Sequence, residues 1–141
     1  MMKKRTKEDD MTIKARIQSR LKRSKRYVFT RDNFKDLAGY DQIGRALREL
    51  VKEGQLLKVG YGVYTKARQN AITGKLMPAA PGGSVAVMIE ALERLKVDYR
   101  LAGATSAYNS GKSTQIPASL EIKTSPRFKR TLSVGSSKLN G

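Results

Sequence analysis

The sequence predicts an α+β fold, a winged helix-turn-helix followed by a small α/β domain. Three observations predict it. The first half holds three segments with apolar residues at helical spacing. A glycine-bracketed pair of short strands follows the third of them directly, and a proline- and glycine-rich break precedes a second, less regular half. The boundaries that follow are a flexible basic arm at 1–11, the winged helix-turn-helix at 12–68, a linker at 69–83 and the α/β domain at 84–141.

Residues 1–10 are charged and have nothing to bury. From Thr12, a natural N-cap, Ile13, Ile17 and Leu21 recur every four residues among Lys14, Arg16, Arg20 and Lys22. After the cluster RSKR, Tyr27 to Thr30 is rich in β-formers and reads as a short strand. Thr30 then caps a second, short helix that turns Phe34 and Leu37 inward and stops near Gly39. The third helix is the clearest element. Asp41 reads as its N-cap, Ile43, Leu47, Leu50 and Val51 form one apolar stripe, and Gly54 stands where a left-handed C-terminal residue belongs. Leu56–Val59 and Val63–Thr65 read as two strands joined by Gly60-Tyr61-Gly62, whose glycines supply the positive φ that tight hairpins need.

In the second half, Ser84 reads as the cap of a helix that buries Val85, Met88, Ile89, Leu92 and Leu95. Tyr99 to Leu101 reads as a strand. Leu120–Thr124 and Lys129–Val134 read as a second hairpin, turning through Ser125-Pro126-Arg127, and SSKLNG as a frayed end.

Composition narrows the partners. Of 141 residues, 29 are Lys or Arg and 12 are Asp or Glu, a formal charge of +17. Residues 1–70 hold 19 of the basic and 8 of the acidic side chains. Such an excess favours polyanions. No apolar run approaches the roughly 20 residues of a spanning helix, so double-stranded DNA is preferred to a membrane. Cysteine and histidine are absent, which excludes disulfides, thiolate catalysis and the usual zinc sites. No cofactor is called for. The charged N-terminus lacks the apolar core of a signal peptide, and the expected location is cytoplasmic.

Three helices with a strand after the first and a hairpin after the third lay the third helix in the major groove. Arg45 is then the candidate for a bidentate contact to guanine and Gln42 for one to adenine. Gly44 has no side chain to hold the helix off the groove, and Arg48 and Lys52 fall further along, toward phosphate. At the hairpin, Tyr61 offers a ring and a hydroxyl to the backbone, flanked by Lys58 and Lys66. Arg31, at the start of the second helix, completes the set. The competing reading of the helix is a solvated face with Arg45–Glu49 pairing, and that of Tyr61 is a ring folded onto the domain. Tyr27 and Tyr64 read as core. The run KKRTK at 3–7 is either a minor-groove arm or a solvated tail.

The stretch YVFTRDNFKDLAGYDQIGRALRELVKEGQLLKVGYGVYTK resembles the N-terminal winged-helix domain of AbiEi-type antitoxins of type IV toxin–antitoxin systems and related regulators. The matching features are Phe29, Thr30 and Phe34; Ala46, Leu47, Leu50 and Gly54; and Gly62, Val63 and Tyr64. Gly103, Ala104, Asn109 and Ser113 to Pro117 are similar to the C-terminal domain of the same group. The resemblance covers roughly residues 12 to 135. It implies operator binding near the regulator's own genes, and a C-terminal domain that counteracts a nucleotidyltransferase-like toxin.

An enzyme is not expected. SGKST at 110–114 ends like a phosphate-binding loop, but the first glycine of that motif would fall on Ser106, and Pro117 stops any helix within a turn. Glu90 and Glu93 sit on the outer face of an amphipathic helix. Three classes stay open at this level: a sequence-specific double-stranded DNA-binding transcriptional regulator, for which the resemblance implies an autoregulating repressor; a protein-interaction module that neutralises a nucleotidyltransferase-like toxin; and a basic RNA-binding winged helix. Oligomeric state is not set by any heptad seam.

Overall fold

The structure, a computed structural model, describes residues 12–111, 121–135 and 137–140. The basic arm at 1–11, with KKRTK, and Lys112 to Pro117 of the polar stretch lie outside the described residues. The fold is mixed α/β, with four α-helices, one 3-10 turn and eight short strands in small antiparallel sheets among the described residues. None of these helices is long and apolar enough to cross a membrane.

Helix α1 spans Ile13–Arg23 and is capped as the sequence suggests, Thr12 Oγ1 accepting from the Ala15 amide at 3.1 Å. Strand β1, Val28–Thr30, follows. The second helix is shorter than expected: Arg31–Phe34 is a single 3-10 turn. Thr30 caps it, its amide donating to Asn33 Oδ1 at 2.7 Å as in a capping box, but the bonds that follow, Lys35 amide to Asp32 carbonyl and Leu37 amide to Phe34 carbonyl, keep the tighter three-residue winding. Helix α2, Tyr40–Lys52, is the third helix of the sequence reading and begins one residue before Asp41. Its cap is Gly39; Asp41 lies in the first turn, where a carboxylate favours the positive end of the helix dipole. At the other end Gly54 takes φ +76°. The Gly54 amide donates to the Val51 carbonyl at 3.0 Å and the Gln55 amide to that of Leu50 at 2.9 Å, a Schellman closure.

Strands β2 (Leu56–Gly60) and β3 (Val63–Gln69) form the hairpin, and β1 pairs on the far side of β3. A bulge falls between Lys58 and Gly60. Alternation along these strands gives the sheet two buried faces. Phe29, Leu56 and Tyr64 meet Ile17, Leu21, Phe34, Ile43, Leu47 and Leu50 of the helices. Val28, Val59 and Val63 turn the other way, onto Val87, Met88, Ala91 and Leu92 of helix α3, Gly83–Arg94. Each such side chain taken fully out of water contributes ~1.5–3 kcal/mol.

The segment read as a linker carries β4, Leu76–Pro78, which pairs with Ala67–Gln69 of β3. The amides of Tyr27 and Val28 both donate to the Glu90 carboxylate, Val28 at 3.1 Å, tying α3 to β1. The expected C-terminal hairpin is corrected. Strand β6 (Ile122–Thr124) pairs with β5 (Tyr99–Leu101), and β7 (Leu132–Val134) pairs with β8, Ser137–Leu139. Within the stretch read as a frayed end, Ser137–Leu139 is therefore a strand, with Ser137 buried. Helix α4, Gly103–Asn109, follows β5 and ends just before SGKST at 110–114.

Candidate nucleic-acid interface

Helix α2 presents two opposite faces. Ile43, Ala46, Leu47 and Leu50 are buried, while Gln42, Arg45, Arg48 and Lys52 are exposed. Among the described residues Arg45, Arg48 and Lys52 take part in no ion pair; Glu53 instead pairs with Lys14 of α1. The Arg45–Glu49 pairing of the competing reading does not form. Gln42 is partly committed elsewhere. Its Oε1 accepts from the Gly39 amide at 3.3 Å, so a bidentate contact to adenine requires that long bond to be released.

At the N-terminal end of α2 the sequence-selected residues Arg31, Gly44 and Tyr61 meet, and Tyr40 joins them. The Arg31 guanidinium carbon lies 4.4 Å from the Tyr40 ring centroid and 5.4 Å from that of Tyr61. Gly44 has a different use from the one expected. It is buried, and a Cβ built on it would lie 2.8 Å from the Arg31 guanidinium carbon. The missing side chain makes room for Arg31, not for a groove.

Tyr61 stands at the hairpin tip with 67% of its surface exposed, not folded down as a cover. The Tyr40 hydroxyl donates to that of Tyr61 across 3.4 Å. This bond, with the Arg31 charge second, holds the Tyr61 phenol below its ordinary pKa, and it raises that of Tyr40. The tip is thus fastened to the start of α2 by one cation and two rings.

The two flanking lysines part company. Lys58 is exposed and pairs across the hairpin with Tyr64, on the sheet face that carries the helices. Lys66 is half-buried at the far end of the hairpin. Its Nζ donates to the Ser24 carbonyl at 2.8 Å and lies 5.3 Å from the Tyr27 ring centroid. Burial holds its pKa below the usual lysine value, against a smaller opposite pull from Glu90. Lys66 is therefore not brought to the tip; it fastens β3 to the α1–β1 connection.

Residues from the second half also reach the tip, and the sequence reading missed them. Arg130 donates to the Tyr61 carbonyl. Gly60 packs so closely on β7 that a Cβ there would lie 2.8 Å from both the Thr131 carbonyl oxygen and Leu132 Cδ2. A cleft of about 400 Å³ opens between the tip and the end of α3, lined among others by Arg94, Lys96 and Arg130. Only the charge run RFKR at 127–130 could have signalled this, and nothing in it names the hairpin as its neighbour. Tyr64, read as core, is buried. Among the described residues no cluster of three carboxylates could hold a metal ion.

No curated protein and no solved structure matches the chain. The model of DUF6088, described as a family of unknown function, matches residues 13–140. With nearly its whole length covered, the chain belongs to that family.

Proposed function

We propose that the protein is a sequence-specific double-stranded DNA-binding transcriptional regulator, an autoregulating repressor, built on a winged helix-turn-helix. The observation that carries this reading is the pairing of two features. The outer face of α2 bears Arg45, Arg48 and Lys52, exposed and, among the described residues, outside any ion pair, and the exposed Tyr61 tip is fastened beside the start of the same helix. In this reading α2 lies in the major groove, with Arg45 on base edges and Arg48 and Lys52 toward phosphate. The tip and Lys58 meet the adjoining sugar-phosphate backbone. The formal charge of +17 supplies the long-range attraction. The resemblance to AbiEi-type antitoxins supports the regulatory role and extends it to neutralising a nucleotidyltransferase-like toxin through the C-terminal half.

Selection of duplexes from a random pool tests the reading. The recovered site should lose sequence preference with Arg45→Ala, by ~1–3 kcal/mol of discrimination at one base pair. Lys58→Ala should weaken binding to all duplexes alike. Recovery of no preferred sequence, or equal affinity of both variants and wild type for the selected site, would overturn it.

A further inference from the structure

The cleft beside the hairpin tip is set apart by its charge. Arg31, Arg94, Lys96 and Arg130 line it, against the single carboxylate of Asp32. These cations are not consumed by ion pairs: among the described residues, none of the four pairs with a carboxylate. Arg94 is half-buried. Its Nε donates to the Val28 carbonyl at 2.9 Å, a neutral acceptor that carries no counter-charge. Burial, and Arg26 second, hold its pKa below the usual value, against a smaller opposite pull from Glu90. Arg31 has a buried Nε with no hydrogen-bond partner among the described residues. Bringing four like charges around one cavity costs free energy unless something anionic enters it.

We propose that this cleft is a phosphate site formed jointly by the two halves of the chain, and that its phosphates come from the nucleic-acid strand passing the hairpin tip. Lys96 and Arg130 are its outer anchors. Both are exposed, and Arg130 already holds the tip through the Tyr61 carbonyl. Arg31 and Arg94 form the inner wall, and the exposed Tyr40 and Tyr61 rings give the strand an apolar edge. The DNA footprint then extends past α2 onto residues of the C-terminal half. This inference rests on the DNA-binding reading above, and the experiment separates the two.

Full-length wild type, Lys96→Gln/Arg130→Gln and Arg130→Lys are titrated with a selected 20-bp duplex by fluorescence anisotropy over a range of salt. Melting curves confirm that each variant is folded. Each phosphate contact contributes about 0.9 to the slope of log K against log salt. The double variant should therefore show a slope shallower by about 1.8, with base preference unchanged, whereas Arg130→Lys keeps the wild-type slope. A wild-type slope in the double variant overturns the cleft while leaving the α2 reading intact. If wild type binds no duplex, the DNA reading fails, and titration with inorganic phosphate decides the cleft. Shifts of the Tyr61 ring resonances that vanish in the double variant identify a site for free phosphate. Their absence from wild type overturns the site altogether.

Discussion

Gly44→Ala and Gly60→Ala place the same added atom at the same distance from a neighbour and should differ in cost. A built Cβ lies 2.8 Å from the nearest atom in both cases. At Gly44 that atom is the Arg31 guanidinium carbon, the far end of a flexible side chain. Its displacement loses two surface cation–π contacts, at roughly 0.5–1 kcal/mol each. Alanine in a helix interior recovers about 1 kcal/mol over glycine. The net change lies between zero and a loss of about 1 kcal/mol, a shift in Tm of no more than about 4 °C for a chain of this size. At Gly60 the neighbour is the Thr131 backbone carbonyl, which can yield only if β7 moves. Overpacking of that kind costs about 1–3 kcal/mol, and the tip loses its seat as well. Thermal denaturation of both variants, with the ring resonances of Tyr40 and Tyr61 followed in each, measures the contrast. In Gly44→Ala the ring contacts to Arg31 should disappear and duplex affinity should fall while the fold stands. A drop in Tm for Gly44→Ala equal to that for Gly60→Ala would refute the claim that its space is kept for a movable guanidinium. Persistence of the Arg31 ring contacts would refute it equally.

Three further outcomes follow from the same contacts. Glu90→Ala leaves the Tyr27 and Val28 amides without their carboxylate, and the midpoint of urea denaturation should fall by the equivalent of about 1–3 kcal/mol at unchanged m. Asp36 is held down to about 2 from 3.8, first by its hydrogen bonds from Arg20. A depressed carboxyl adds stability that is present above its unfolded pKa and lost as the pH falls through the folded one. Tm should therefore decline from pH 3.8 toward about 2. Asp36→Asn should remove that component, and added salt should shrink it because the pair is at the surface. Lys66→Ala should leave the salt dependence of duplex binding unchanged, since that amine is bound to the Ser24 carbonyl; a shallower slope would return Lys66 to the interface.

What the sequence disclosed is what local physics determines. The Ile43–Leu47–Leu50 stripe, the Thr12 cap and the Gly54 closure are set within a few residues of one another, and each appears where the spacing placed it. The second helix has its Thr30 cap where the sequence placed it, and departs from expectation only in winding, its bonds closing on the third residue back. The other departures are non-local. Pairing of β6 with β5 joins residues about twenty positions apart, and nothing in the short strand near 122 states that its partner is Tyr99–Leu101 and not Leu132–Val134. Val28 beside Phe29, and Val63 beside Tyr64, are apolar on both parities, as in a strand covered on both faces. A second layer over the sheet follows from that alone, and helix α3 is that layer. For the site, residue type marked Arg31, Arg45 and Lys58, but Lys58 and Lys66 look alike in sequence. Only the fold shows that Lys58 is exposed and that Lys66 is held by a carbonyl 42 positions away.

The hairpin tip draws these lines together because it is held from two directions. Arg31 grips it from the first half of the chain, through the rings of Tyr40 and Tyr61. Arg130 grips the same residue from the second half, through the Tyr61 carbonyl, and β7 presses on Gly60 from below. A flexible hairpin would have to be ordered by its ligand, at about 1–2 kcal/mol per residue in backbone freedom. Here the fold has already met that cost. Contact with the Tyr61 ring is therefore felt by α2 and β7 together, and a ligand that shifts the tip must shift both. The coupling runs in both directions: a partner bound to the C-terminal half that moved Arg130 or Leu132 would change what the tip offers beside α2.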